Sequence, residues 1–266
     1  MKTQTVTDAI QEVAAREILP RFRTLHGDEI VEKHPGDLVT VADRRAEVEL
    51  TAILRDYHPD ALVVGEESVF DDPGILEGLP EAEHAWVIDP VDGTNNFARG
   101  SADFGVMVVE CAHGLPVRSW IWQPVHERMF VAERGNGVTL NGRPLRPMGG
   151  PQRPLRAAAG PRSLQHHSER LTVRPTVGSC AIDYPDVLTG KIDAVVYRSQ
   201  NPWDHLPASL MIRELGGRAA LNTGEDYRAG VASPLLISAC TPDAWDIVND
   251  TLVTPDWLAT HPTLNQ

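Results

Sequence analysis

Three cysteines in 266 residues are too few and too scattered to hold this chain together covalently. Cys111, Cys180 and Cys240 form an odd set with no CxxC pair, which argues against a disulfide framework and against a thiolate zinc site. Long apolar runs are also missing, so no stretch can span a bilayer. The first 25 residues are interrupted by Asp8, Glu12, Arg16 and Glu17 and lack the apolar core of a signal peptide. Basic side chains number 24 against 37 acidic ones, a net charge of −13, which disfavours long polyanions such as nucleic acid and anionic membrane surfaces as partners. These absences together lead us to expect a cytoplasmic protein in a reducing compartment.

What is present suits a large buried core, in one compact unit of two closely packed halves at 1–150 and 151–266. Val6, Ile10, Val13, Ala14 and Ile18 recur at helical spacing and predict a helix over about 4–19, ending near Pro20. A second helix is expected from Thr40, with Ala42, Ala46, Leu50, Ile53 and Leu54 along one face. The Pro35-Gly36 pair between them marks a turn or hairpin. Three runs of strand character follow at 104–111, 117–122 and 128–133, so the first half reads as a meandering sheet flanked by helices. Residues 143–162, rich in Pro, Gly and Arg, read as a solvated junction. In the second half, helices are expected at 178–188 and 205–215 and from Thr241, with strands at 194–197 and 235–239. Asp204 would stand at or just before the start of its helix.

Most of the chemistry lies in Ala85-Trp86-Val87-Ile88-Asp89-Pro90-Val91-Asp92-Gly93-Thr94. An apolar run that stops at two carboxylates reads as the end of a buried strand, and burying Asp89 and Asp92 is costly unless a cation or several donors meet them. Gly93 permits close backbone approach to an anion, and Thr94 can cap a helix whose free N–H groups point at it. Leu62-Val63-Val64 likewise runs into Gly65-Glu66-Glu67-Ser68, placing further carboxylates at a strand end. Hard oxygen ligands beside backbone amides point to metal-assisted phosphate chemistry. The ten histidines do not redirect this reading, because no His-x-x-x-His helix face occurs and His166-His167 are adjacent. No Gly-x-Ser-x-Gly elbow is present either.

Gly65-Glu66-Glu67-Ser68, Asp89-Pro90-Val91-Asp92-Gly93-Thr94 and Pro202-Trp203-Asp204, in that order, resemble the inositol monophosphatase family of magnesium-dependent, lithium-sensitive phosphatases. The likeness extends to Asp37-Leu38-Val39-Thr40 with Asp43, to 131–142 and to Gly178-Ser179-Cys180-Ala181, and so covers nearly the whole chain. It implies a layered α-β-α-β-α sandwich of the α/β (α+β) class, an active site between the halves, and a homodimer. It implies a phosphoric monoester hydrolase acting on a small phosphorylated metabolite, of the inositol 1-phosphate type, with two or three Mg²⁺ per site. Glu66, Asp89 and the Val91 carbonyl would hold one metal, and Asp89, Asp92 and Asp204 a second; a third would draw mainly on Glu66 and water. Thr94 and Asp43 would orient a water near Glu66 for in-line attack, while the amides of Gly93 and Thr94 hold the phosphate. Lys33 resembles the family's basic residue on the loop near the third metal.

The chain departs from the family where substrate hydroxyls are read. Many members carry Glu seven residues before the metal-binding Asp, and Tyr197 stands there; a phenol cannot reproduce a carboxylate's charge-assisted bonds. Histidinol phosphate, fructose 1,6-bisphosphate and nucleotide 3′-phosphates therefore remain alternatives, as does a non-catalytic binding or regulatory role on the same fold. Asp92, Cys180, Asp183 and Tyr197 are the candidate substrate contacts. Pro185 is expected to kink or delay the helix after Gly178, and Pro207 to fall in a first turn.

Overall fold

A computed structural model describes residues 2–146 and 153–260. Helix α1 (Thr3–Val13) buries Val6, Ile10 and Val13 and continues through a π turn (Ala14–Ile18) and a 3-10 turn (Leu19–Arg21) containing Pro20. The hairpin β1 (Ile30–His34) and β2 (Asp37–Thr40) turns at Pro35-Gly36 and leads directly into α2 (Val41–Tyr57). Then come β3 (Leu62–Gly65), α3 (Glu66–Asp71), β4 (Ala85–Asp92) and α4 (Thr94–Ala98). The antiparallel meander is β5 (Gly105–Ala112), β6 (Leu115–Gln123), β7 (Arg128–Glu133), β8 (Gly137–Leu140) and β9 (Arg143–Pro144). Beyond it lie β10 (Leu155–Ala159), β11 (His166–His167), β12 (Leu171–Pro175), α5 (Cys180–Leu188) and β13 (Ala194–Tyr197). The chain continues with α6 (Pro202–Glu214), β14 (Arg218–Leu221), β15 (Leu236–Ala239), α7 (Pro242–Leu252) and α8 (Pro255–Thr260).

The strands form two large sheets, seven-stranded in the order β3-β4-β5-β6-β7-β8-β9 and six-stranded in the order β11-β12-β10-β13-β15-β14. Helices α1 and α2 pack on the first sheet, α5 and α6 lie between the sheets, and α7 covers the second, giving α-β-α-β-α layers. Burial on both faces explains why β4 reads as an unbroken apolar run: Trp86 and Ile88 pack towards α1 and α2, while Ala85 and Val87 join the cluster around Trp203 and Leu206 of α6. No described helix is long and apolar enough to cross a membrane.

Several expectations need correction. The solvated junction at 143–162 contains β10, whose Leu155, Ala157, Ala158 and Ala159 are buried between two parallel neighbours, β12 and β13. Small side chains let both sheet faces be covered closely there. Arg156 is bound to Asp193, its Nε 3.1 Å from Oδ2. The expected boundary between halves at 150/151 lies outside the described residues. Helix α6 opens at Pro202, not His205, so Asp204 is its third residue and Pro207 lies in the second turn. Pro185 is accommodated inside α5, which starts at Cys180.

Candidate active site

Two aspartates three positions apart on a regular strand would point to opposite faces. Asp89 pairs with Met107 and Asp92 with Gly105, so β4 carries one extra residue across this stretch, a bulge that contains Pro90. Proline has no N–H for the ladder, and the bulge turns both carboxylates to one side. Gly93 then adopts φ +86°, and a Cβ there would sit 2.9 Å from that of Ser179. The chain can only pass here as glycine. Contrary to expectation, Gly93 and not Thr94 occupies the N-cap of α4; Thr94 is the first helical residue.

The Thr94 hydroxyl reaches Asp43 Oδ1 at 2.9 Å and the Val91 carbonyl at 3.0 Å. Asp43 is fully buried in the first turn of α2, where it forms a capping box with Thr40, accepting the Thr40 N–H at 2.9 Å. Burial above all, with the Glu66 charge, lifts its pKa to about 7 against the opposing hydrogen bonds from Thr40 and Thr94.

Glu66 and Glu67 open α3 directly after β3. Lys33, on β1, donates to Glu66 Oε1 at 2.8 Å and to Glu67 Oε1 at 3.0 Å. Burial works against its charged form, yet the two carboxylates prevail and hold the ammonium pKa above its ordinary value. Glu67 is pushed up to about 7, first by burial and then by Glu66. Asn95 ties the hairpin tip to α4 by donating to the Gly36 carbonyl at 2.8 Å.

Asp92 accepts the Ala181 N–H at 2.7 Å and the Ser179 hydroxyl, both from the start of α5. Its pKa rises to about 6, mainly through burial. Asp89 and Asp204 are raised well above the usual carboxylate range, by burial first and then by neighbouring carboxylates. Carboxylate oxygens of Asp89, Asp92 and Asp204 lie within 4.8 Å of one another. They face a cavity of about 470 Å³ together with Glu66, and Lys33 is the single lysine or arginine among its lining residues. Four carboxylates against one ammonium leave negative charge that a divalent cation with hard oxygen preferences would neutralise. Gly93, Thr94 and Val91 line the same cavity.

Of the four expected substrate contacts, Asp92 lines the cavity and the other three are placed elsewhere. Cys180, Asp183 and Tyr197 do not line this cavity. Asp183 is buried, accepts the Val177 N–H at 3.2 Å and receives the Tyr197 hydroxyl at 3.0 Å. The Cys180 sulfur is 3.9 Å from His205 Nδ1. His205 is engaged on both nitrogens, Nδ1 with Tyr184 at 2.9 Å and Nε2 with the Ser199 carbonyl at 2.8 Å, and burial lowers its pKa to about 3. It is a packed neutral histidine.

One residue was not anticipated from the sequence. Glu47, buried on α2, accepts the N–H groups of Glu67 and Ser68, each at 2.8 Å. It fixes the helix start that carries Glu66. Gly65 makes this possible, since a Cβ there would lie 2.2 Å from the Glu47 carboxyl carbon. The available signal was its place four residues after Asp43 on one helix face.

A family profile described as "Inositol monophosphatase family" matches residues 2–251. A Nus factor SuhB of Pseudomonas aeruginosa is 31% identical over 224 residues, covering 76% of this chain and 80% of the relative. An inositol-1-monophosphatase of Mesorhizobium japonicum is 30% identical over 228 residues, covering 80% and 83%. Among solved structures, an "IMPase/NADP phosphatase complexed with Mg2+ and phosphate" superposes with TM-score 0.74 at 20% identity, covering 92% of this chain and 95% of the other.

Proposed function

This chain belongs to the inositol monophosphatase family, and from that premise we propose that it is a Mg²⁺-dependent phosphomonoesterase acting on a small polyol or sugar-like phosphate. The observation that carries the reading is the convergence of Glu66, Asp89, Asp92 and Asp204, from three separate elements, on one acidic cavity that also contains Gly93 and Thr94. The donor set fits Mg²⁺, being all oxygen and short of positive charge. Glu66, Asp89 and the Val91 carbonyl would hold one ion and Asp89, Asp92 and Asp204 another, with Glu66 available to a third. When bound, the ions neutralise phosphate oxygens and make a coordinated water more acidic.

The chain's own groups do the rest. Thr94, held by Asp43, orients a water near Glu66 for in-line attack. Gly93 and Thr94 present backbone N–H groups to the phosphate. Asp92 is aligned by Ser179 and Ala181 and Glu66 by the Glu47 support. With Tyr197 bonded to Asp183, no carboxylate comes from that position to read a substrate's ring hydroxyls. Histidinol phosphate, fructose 1,6-bisphosphate and nucleotide 3′-phosphates thus stand beside inositol 1-phosphate as substrates. The family likeness also supports a cytoplasmic homodimer.

The test is phosphate release from these four esters with Mg²⁺, with EDTA, and with added Li⁺. Turnover of one of them that requires Mg²⁺ supports the reading. A second reading, a non-catalytic binding protein, draws on the relatives named Nus factors; Mg²⁺ binding without turnover of any ester would favour it.

A further inference from the structure

At the opposite end of β4 from the aspartates, three side chains distant in sequence come together. His58 closes the C-terminus of α2, His84 immediately precedes β4, and Glu110 lies on β5. Ligating atoms of all three lie within 4.8 Å of one another. At about 3.3 Å per strand residue, His84 is roughly 16 Å from Asp89, so this group is separate from the acidic cavity. We propose that His58, His84 and Glu110 form a second cation site, selective for a zinc-type divalent ion and completed by water.

Four observations support it. His84 Nε2 is buried and lacks a hydrogen-bond partner; it stands 2.8 Å from Glu110 Oε1 without hydrogen-bond alignment. A buried imidazole nitrogen left in that condition calls for an explanation, and a cation ligated by both atoms from one side supplies one. Second, Arg118 Nε is bonded to the other Glu110 oxygen, Oε2, which fixes the carboxylate and leaves Oε1 for an ion. Third, His58 caps a 17-residue helix, where the exposed carbonyls favour positive charge. Its ring stands against that of His84, the two centroids 4.1 Å apart. Fourth, a cavity of about 520 Å³ is lined by all three residues and gives access to the fourth position.

Two imidazoles and one carboxylate suit Zn²⁺ and its neighbours better than Mg²⁺, which prefers oxygen and keeps its waters. The backbone holds the ligands in place: the His58 N–H donates to the Leu54 carbonyl at 3.1 Å, the His84 carbonyl accepts from Leu62 at 3.1 Å, and Glu110 pairs with Trp86 across the ladder. A bound ion would therefore staple the end of α2 to the inner strands β4 and β5.

The experiment is Zn²⁺ titration by calorimetry into the full-length, chelator-stripped protein in excess Mg²⁺, with X-ray absorption at the zinc edge to identify ligands. The expected result is one Zn²⁺ per chain with two imidazoles in its shell, retained in Asp89→Asn. In His58→Asn the affinity should fall by more than the roughly 10–100-fold typical of outer-shell changes. His58 sits at a helix end where Asn is tolerated, so this variant serves even if His84→Gln fails to fold. A zinc shell without imidazole, or wild-type affinity in His58→Asn, would overturn the proposal and leave a His84–Glu110 ion pair only.

Discussion

The Thr94 hydroxyl lies 2.9 Å from Asp43 Oδ1, joining the start of α4 to the first turn of α2 across a separation of 51 residues. Asp43 thus serves two partners, the Thr40 cap and the Thr94 hydroxyl, with one carboxylate. On the proposed chemistry, Thr94→Val should lower kcat by about 10²–10⁴ with little change in KM, the range typical of a lost proton-handling or positioning group. Thr94→Ser, which keeps the hydroxyl, should recover most of it; steady-state kinetics on the ester that turns over fastest provides the check.

Glu47 offers a cleaner separation of positioning from ligation, because it does not line the acidic cavity. Glu47→Gln would keep an acceptor for one of the two N–H groups and direct an amide donor at the other. A loss of about 1–3 kcal/mol in urea unfolding is expected, together with weaker Mg²⁺ binding as Glu66 loses its support. Unchanged Mg²⁺ affinity in a destabilised variant would limit Glu47 to a structural role.

Lys33 supplies positive charge to Glu66 and Glu67, which a cation could also supply. Lys33→Met should lower Tm in EDTA considerably more than in saturating Mg²⁺. Equal losses in the two conditions would show that the ammonium and the ion do not substitute for each other.

Stability of the cation-free protein should depend on pH through the same carboxylates. Asp43 and Glu67, near 7, and Asp92, near 6, hold protons in the folded chain that the unfolded chain has already released. Their contribution is complete below about pH 4 and disappears as the pH rises through about 7. His205, lowered to about 3, acts in the reverse sense: its contribution is present above about 6.5 and lost on acidification. Because His205 affects Mg²⁺-loaded and Mg²⁺-free protein alike, the difference in Tm between them isolates the carboxylates. That difference should widen from about pH 5 to pH 8.

The layered fold and the acidic cavity were legible because β4 is apolar throughout, its two aspartates end it, and Glu66 and Asp204 follow familiar neighbours. The side-chain direction at Asp89 and Asp92 was not, since it depends on a bulge that only strand pairing shows. β10 was missed because Leu-Arg-Ala-Ala-Ala carries neither alternation nor β-branched residues, and tertiary burial overrides that weak local signal. Tyr197 could be read as a substitution but not as a partner of Asp183, fourteen positions away. The pairing of His58 with His84 has no local spacing to detect; it exists only because α2 ends beside the start of β4.

Asp92 belongs to the seven-stranded sheet, yet its carboxylate is held by Ser179 and Ala181 at the entrance to α5. A proposed metal ligand is thus also a clasp between the first sheet and the helical layer packed on it. Under the proposed chemistry, a cation drawn to Asp89, Asp92 and Asp204 recognises only the clasped arrangement, and its binding energy is added by mass action to the adhesion between layers. Loading the metal and closing the molecule would then be a single equilibrium, and the protein's resistance to a protease would rise and fall with the magnesium around it.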